Sequence, residues 1–156
     1  MKTRPDVSVV VPVVERHGDL RLLFAELSSE IESLGCTAEY IIVVDYRERE
    51  TIPTLRDLQR ETDRDVTLVL LGGTFGESSA LTVGLERARG EVIVTAAAYF
   101  QVEPSGIRAA LAALDAGADL IVGRRYPRVD SWFNRLQSAL FHGLVTRMTG
   151  SHFKDI

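Results

Sequence analysis

The segment LLGGTFGESSALTVGLERARGEVIVT, residues 70–95, contains one complete turn, helix and strand of a pattern that runs along the whole chain. Three glycines between Gly72 and Gly76 favour a tight turn after a hydrophobic strand. The helix that follows is predicted to pack on a sheet through residues at helical spacing, which are Ala80, Leu81, Gly84, Leu85 and Ala88. The next hydrophobic run predicts another strand, so the segment is typical of an α/β fold.

Upstream and downstream of this segment, strand and helix patterns continue to alternate. Hydrophobic, β-branched runs predict five strands at Val7–Val13, Tyr40–Val44, Val66–Leu71, Glu91–Ala96 and Asp119–Val122. Other patterns predict helices from Asp19 to Gly35, near Thr54–Thr62, from Ser105 through Leu114, and from Ser131 onward. The sequence therefore predicts one domain, residues 1–156, built as an α/β sandwich around a mostly parallel sheet.

In a parallel sheet the ligand site is expected beyond the carboxyl ends of the strands, where neighbouring loops meet. This rule nominates four segments: Pro12–Arg16, Asp45–Arg49, Thr95–Gln101 and Gly123–Arg128.

Composition and charge limit the class of protein. Of 156 residues, 46% are hydrophobic and 26% charged, as in a globular domain, and the single Cys36 cannot form an internal disulfide. No apolar run reaches the ~18 residues of a membrane span, so we expect a cytoplasmic location. Residues 124–156 carry six basic and two acidic side chains, while the rest carry 12 basic and 20 acidic. The basic region is either a phosphate- or membrane-binding patch or a solvated helix face.

Several common site motifs are missing from the sequence. The GGTFG turn lacks the Lys-Ser/Thr of a phosphate loop and the GxGxxG spacing of a dinucleotide site. Ser78 and Ser79 lie outside a nucleophile elbow, and we interpret them as helix-start residues. His17, His142 and His152 lack paired ligand spacing, which favours surface positions. The basic region has no nucleic-acid-binding motif, so no nucleic-acid partner is expected.

The order of the motifs is more informative than any one of them. The succession VSVVVPVVE, EYIIVVD, residues 70–95, GADLIVGRRY and DSWFNRLQSALF resembles family 2 inverting glycosyltransferases, in particular the branch that uses polyprenyl or dolichyl phosphate. The similarity extends over nearly the whole chain, from Val7 to Asp155. It implies a GT-A fold, which is a three-layer sandwich with a Rossmann-like sheet.

The resemblance also implies site residues. Pro12 and Val13 would line the base and ribose, and Asp45 would contact the nucleotide. The full set of implied nucleotide-sugar positions is Pro12, Val13, Glu15, Asp45, Ala97, Tyr99 and Gln101. Arg125, Arg135 and Ser138 would contact phosphate or the lipid acceptor, and guanidinium groups suit phosphate oxygens.

The chain departs from the family pattern at several of these positions. Val14, Glu15 and Arg16 stand where tyrosine, asparagine and glutamate are expected, and the D-x-D metal motif is replaced by Ala97-Ala98-Tyr99. Mg²⁺ or Mn²⁺ is expected in the family, but its ligands are absent, so we predict no metal site and assign no catalytic residue. Losing such charge stabilisation typically costs a factor of ~10³ or more in rate.

Two functional hypotheses remain open. The first is a glycosyltransferase with lost or strongly reduced metal-dependent catalysis, acting on a nucleotide-sugar and a polyprenyl phosphate. The second is a non-catalytic protein that binds a nucleotide, an active paralogue or a membrane surface. The resemblance further predicts that a C-terminal acceptor part is missing. The basic C-terminal region predicts a peripheral position at the inner membrane face, and the wide apolar stripe of residues 131–149 predicts a homo-oligomer or membrane interface.

Overall fold

Four parallel strands form the sheet of the computed structural model, which describes residues 4–99 and 105–123. The strands are β1 (Val7–Val13), β2 (Ala38–Val44), β3 (Asp65–Leu70) and β4 (Val92–Thr95). Their order in the sheet is β3-β2-β1-β4, and every neighbouring pair is parallel. The chain divides into two compact units, Met1–Asp119 and Leu120–Ile156. All the described strands and helices belong to the first unit.

The helices of this unit are α1 (Leu20–Ser33), α2 (Ile52–Glu61), α3 (Glu77–Leu85) and α4 (Gly106–Asp115), and a 3₁₀ helix over Tyr46–Thr51 precedes α2. Asp19 caps α1, because its carboxylate accepts hydrogen bonds from the backbone N–H groups of Arg21 and Leu22 at 3.0 and 3.1 Å. Gly35 follows the end of α1 with φ of 73°, a conformation that favours glycine. Both ends of α1 thus agree with the sequence prediction.

Hydrophobic residues fill both faces of the sheet. Alternate residues of β1 point to opposite faces, so Val9, Val11 and Val13 join one core cluster and Val10 joins the other. The first cluster includes buried side chains of α1, α2 and α4, whereas the second includes Ala80 of α3. Helices therefore cover both faces, and the predicted three-layer α/β sandwich with a parallel sheet is confirmed.

A buried polar network joins the elements at the amino ends of the strands. Glu39 is 3% exposed and accepts a hydrogen bond from the Ser8 hydroxyl at 2.6 Å. Arg89 donates to the Glu39 carboxylate and to Asp65 at 2.8 Å. Burial raises the pKa of the Glu39 carboxyl, but the bonds from Ser8 and Arg89 outweigh it and lower that pKa overall. The network fixes the start of three strands, away from the ligand edge.

Two predictions from the sequence are wrong: a fifth strand at Asp119–Val122, and a packing role for Leu85 of α3. Residues Asp119–Val122 do not form a fifth strand, and they pair with no strand of the described residues. Leu120 is 74% exposed, so this apolar run lacks the burial that stabilises a strand. Leu85 lies at the end of α3 and is 42% exposed, so it does not belong to the helix's packing face. The helix predicted from Ser131 lies outside the described residues.

Candidate functional site

Three segments meet where β1, β2 and β4 end, and we call this region the carboxyl edge. The loop Val14–Asp19 follows β1, the 3₁₀ helix Tyr46–Thr51 follows β2, and the segment Ala96–Tyr99 follows β4. β1 lies between the other two strands, so its loop can contact both neighbours. Three of the four segments nominated from the sequence lie at this edge in whole or in part.

Asp45 is the first residue after β2, and its side chain is fully buried. One carboxylate oxygen accepts a hydrogen bond from the Arg47 N–H at 3.1 Å, and the other accepts one from the Phe75 N–H at 3.0 Å. The backbone N–H of Asp45 donates to the Val13 carbonyl at 2.9 Å. Asp45 therefore joins the end of β2 to β1 and to the turn before α3.

The surroundings of Asp45 favour its charged form. Burial by itself raises the pKa of this carboxyl, but hydrogen bonds donated to the carboxylate outweigh burial and hold the pKa below its ordinary value of 3.8. The donors are the backbone N–H groups of Arg47, Phe75 and Gly76 and the Thr74 hydroxyl. Gly76 has φ of 81°, so the turn also depends on a glycine here. A contact between Asp45 and a nucleotide stays a prediction.

The β1 loop is tied to the segment after β4. The Gly18 N–H donates a hydrogen bond to the Ala98 carbonyl at 2.9 Å. Two residues earlier, the guanidinium carbon of Arg16 lies 4.7 Å from the centre of the Tyr99 ring, within the range of a cation–π contact. This contact brings a cationic group to residues 97–99.

On its other side, the β1 loop approaches the 3₁₀ helix. His17 Nε2 lies 3.4 Å from a carboxylate oxygen of Glu48, and its Nδ1 lies 3.1 Å from the Gly18 carbonyl oxygen. One ligand atom from each of His17, Glu48 and Glu50 lies within 4.8 Å of the other two. Imidazole and carboxylate are ligands that divalent cations such as Mn²⁺ and Zn²⁺ accept, so this group could hold a cation.

The segment Ala97–Tyr99 does not fit the Mg²⁺ or Mn²⁺ that the family resemblance predicts there. Alanine side chains contain no ligand atom, and Ala98 is in addition 2% exposed. The phenol of Tyr99 is not one of the carboxylate, carbonyl or water oxygens that Mg²⁺ prefers. No catalytic step is therefore assigned to a metal held by this segment.

The predicted site residues differ in how far they are accessible. Pro12 and Val13 are buried in β1, Ala97 and Tyr99 are half-buried, and Glu15 is exposed. Their predicted contacts with a nucleotide-sugar stay predictions. Four further predicted residues lie outside the described residues: Gln101, Arg125, Arg135 and Ser138.

Two groupings at the carboxyl edge were missed by sequence reasoning. His17 was considered with the other histidines and lacked ligands at regular spacing, but its neighbours Glu48 and Glu50 belong to a different loop. Arg16 and Tyr99 are 83 positions apart in the chain and meet only because β1 and β4 are adjacent. The sequence contains one signal for these groupings. The loops follow predicted parallel strands, and loops of that kind lie at the same edge of a sheet.

Comparison with known proteins agrees with this architecture. Residues 8–155 match the family model described as glycosyl transferase family 2. The chain is also similar to the undecaprenyl-phosphate 4-deoxy-4-formamido-L-arabinose transferase of Edwardsiella ictaluri (strain 93-146), with 32% identity over 154 residues. That alignment covers 99% of this chain and 47% of the relative.

Two further relatives have the same name. The protein of Aeromonas hydrophila subsp. hydrophila is 30% identical over 149 residues, and that of Enterobacter sp. (strain 638) is 32% identical over 149 residues. Each alignment covers 96% of this chain and 46% of the relative. The chain thus spans about half the length of the curated relatives it matches. Across residues 4–99 and 105–123, no helix has the length and apolar character needed to cross a bilayer.

Proposed function

The chain belongs to the family 2 glycosyltransferases, and from that premise we propose that its carboxyl edge binds the nucleotide part of a nucleotide-sugar donor. The edge is where an open parallel sheet binds ligands, and here it is formed by loops of three strands. The donor would lie across the ends of β1, β2 and β4.

The observation that carries this proposal is the linkage among the three loops. Gly18 is bonded to Ala98, His17 approaches Glu48, and the backbone N–H of Asp45 is bonded to the Val13 carbonyl at the end of β1. These contacts fix the loops relative to one another before any ligand arrives. Such preorganisation reduces the conformational entropy that binding would otherwise cost.

For the acceptor, we propose a polyprenyl phosphate, because undecaprenyl phosphate appears in the names of the relatives. In the whole protein, an oxygen of the acceptor phosphate would attack the anomeric carbon of the donor sugar and form the new bond. The bond from that carbon to the diphosphate would break, and the nucleoside diphosphate would leave with the electron pair. A basic region at residues 124–156 and a peripheral position at the membrane would suit a lipid phosphate.

A second candidate is a non-catalytic binding protein, and the Ala97-Ala98-Tyr99 sequence favours it. The leaving diphosphate develops charge, and this segment offers no carboxylate to hold a cation that would stabilise it. We therefore propose that metal-dependent transfer is lost or strongly reduced. Donor binding does not require the same stabilisation, so it can persist where transfer does not.

Transfer and binding can be tested together on the whole protein. Thermal unfolding with UDP, GDP or dTDP measures donor binding, and radiolabelled nucleotide-sugars with undecaprenyl phosphate measure transfer to lipid. We expect stabilisation by at least one nucleotide without added metal, and no increase in transfer when Mn²⁺ is added. Absence of stabilisation by any nucleotide, with or without Mn²⁺, would contradict donor binding, and Mn²⁺-dependent transfer would contradict the loss of metal-dependent catalysis.

A gain-of-function variant tests whether the missing carboxylates at Ala97–Tyr99 explain the proposed loss of metal dependence. The double variant Ala97→Asp, Tyr99→Asp supplies two carboxylates at this position, and we expect it to acquire Mn²⁺-dependent stabilisation by the bound nucleotide. The matched control is Ala97→Asn, Tyr99→Asn, which has a similar shape without the charge. An equal Mn²⁺ response in both double variants would mean that the segment is not the place where a metal could act.

A further inference from the structure

We propose that Arg16, held against the ring of Tyr99, binds the diphosphate of the donor directly and supplies positive charge that no metal ligand at residues 97–99 can bring. The proposal rests on the proposed function, because it concerns the same bound donor. It assigns to one residue of the β1 loop the recognition of a specific chemical group, a pyrophosphate.

The contact between Arg16 and Tyr99 leaves N–H donors of the guanidinium available. The guanidinium carbon lies over the Tyr99 ring, 4.7 Å from the ring centre, so the ring contacts the cation on one side. The N–H donors of a guanidinium lie in its plane and point outward from its rim. A guanidinium contacted by one ring keeps N–H donors that can form two parallel hydrogen bonds to phosphate oxygens.

The charge of Arg16 is also unneutralised among the described residues. No described carboxylate oxygen lies within ion-pair distance of its guanidinium. Some arginines of the same unit are paired with acids, for example Arg21 with Glu61 at 2.6 Å and Arg64 with Glu32 at 2.6 Å. Arg49 resembles Arg16, because its guanidinium carbon lies 4.6 Å from the centre of the Tyr46 ring. Arg16 is exposed and lies over a half-buried ring. With no carboxylate partner in the described part of the chain, this cation is available to an anionic ligand.

The backbone places this cation beside the ends of the central strands. The hydrogen bond from Gly18 to Ala98 fixes the distance between the β1 loop and the segment after β4. If a Cβ is built on Gly18, its nearest neighbour is the Cβ of Tyr99 at 3.6 Å, so the two backbones pass close to each other. The β1 loop is thus held against the segment after β4, in which the side chains of Ala97 and Ala98 introduce no competing negative charge.

The test is nucleotide binding measured by calorimetry on the whole protein in EDTA, with UDP, GDP and dTDP as probes. For whichever probe binds, we expect Arg16→Ala to raise Kd about tenfold or more, because charge-assisted hydrogen bonds are lost. Arg16→Lys should recover part of the affinity, since it restores charge without the bidentate donors. The corresponding nucleoside monophosphate should lose less affinity than the diphosphate in Arg16→Ala.

Two further variants test whether the effect of Arg16→Ala is specific to this site. Tyr99→Leu removes the ring that orients the guanidinium, and we expect a weaker effect than that of Arg16→Ala. Arg64→Ala is the matched control, because the guanidinium carbon of Arg64 also lies over an aromatic ring, 5.7 Å from the centre of Phe24, but Arg64 directly precedes β3 at the opposite edge of the sheet. It removes the same charge, and its Kd should equal that of the wild type.

The outcomes distinguish failure of this inference from failure of the proposed function. A wild-type protein that binds no nucleotide overturns both. Wild-type binding that is unchanged within about twofold in Arg16→Ala overturns only the assignment of Arg16. The assignment is also overturned if binding requires Mn²⁺ and is lost in Glu48→Gln, because a cation held with His17 and Glu50 would then perform the role given to Arg16.

Discussion

Asp45 shows how one buried acid can organise a ligand edge without itself being accessible. Its carboxylate bonds to the backbone of the segment that follows β2 and to the turn that precedes α3. The family resemblance gives this position a nucleotide contact, but the sequence alone gives no indication that its oxygens are already occupied by backbone donors. Its place after a buried strand was predictable, whereas its hydrogen-bond partner Phe75, 30 residues later, depends on tertiary structure.

We expect Asp45→Ala to lower the free energy of unfolding by about 3 kcal/mol, because the buried N–H groups of Arg47 and Phe75 lose their acceptor. Urea unfolding followed by circular dichroism measures this change. Asp6→Ala is the matched control, since the exposed Asp6 carboxylate likewise accepts two bonds at 2.7 Å, both from Thr37. A loss for Asp6→Ala as large as that for Asp45→Ala would show that burial is not the cause.

The lowered pKa of Asp45 predicts how stability depends on pH. Since the folded-state pKa lies below the ordinary value of 3.8, folding favours the charged form, and its contribution is complete above that value and decreases as pH falls through the folded pKa. We expect the stability difference between wild type and Asp45→Asn to be constant above about pH 5 and to shrink at lower pH. Chemical unfolding across this range measures it, and a difference that grows on acidification would contradict the assignment.

Among the elements, β1 was predicted with both of its bounds, while the strand at Asp119–Val122 was wrong. Both segments are short apolar runs, so their local patterns do not separate them. β1 is stabilised by pairing with β2 along its length and with β4 over Val7–Val10. Residues 119–122 have no such partner among the described residues. Strand formation depends on a neighbouring strand, which a local pattern does not contain.

The packing of α3 on the sheet depends on Gly84. A Cβ added there would overlap the Cγ1 methyl of Val10 and lie 3.3 Å from a methyl of Val43, and both valines are fully buried. We expect Gly84→Ala to destabilise the protein by about 1–2 kcal/mol, because overpacking outweighs the better helix propensity of alanine. Differential scanning calorimetry or urea unfolding measures the change.

Gly72→Ala provides the control for this element. A Cβ at Gly72 meets no heavy atom within 4 Å, so we expect a change within about 0.5 kcal/mol. If Gly84→Ala were as stable as the wild type or more stable, the close approach of α3 to β1 would be wrong. A large loss for Gly72→Ala would instead indicate that the turn before α3 requires glycine for its backbone.

For the molecule as a whole, the layered architecture was predictable because it repeats. Each strand-helix unit has a buried strand and a helix with an apolar face, and parallel strands joined this way place helices on both sides of the sheet. The site was less predictable, since contacts such as Arg16 with Tyr99 join loops from different units. The sequence could place these loops at one edge but could not decide which side chains meet there.

The distribution of burial across the sheet predicts the order in which the molecule opens. All seven residues of β1 are buried, as are six of the seven in β2, whereas one of the six in β3 is buried. β3 also pairs only with β2 among the described residues, so it can separate without disrupting the central pairing. Native-state hydrogen exchange of the whole protein should therefore show slowest exchange in β1 and β2, near the free energy of global unfolding.

We expect β3 amides to exchange faster than those of β1 and β2, through a partial opening that depends weakly on denaturant. Exchange measured by NMR or mass spectrometry at several urea concentrations separates this opening from global unfolding, because the urea dependence scales with the surface exposed. Equal protection and equal urea dependence in β1 and β3 would mean that the sheet opens as one unit. In that case the exposure of the β3 side chains would not mean that β3 is attached more weakly to the core. The carboxyl edge would then open only when the whole sheet unfolds.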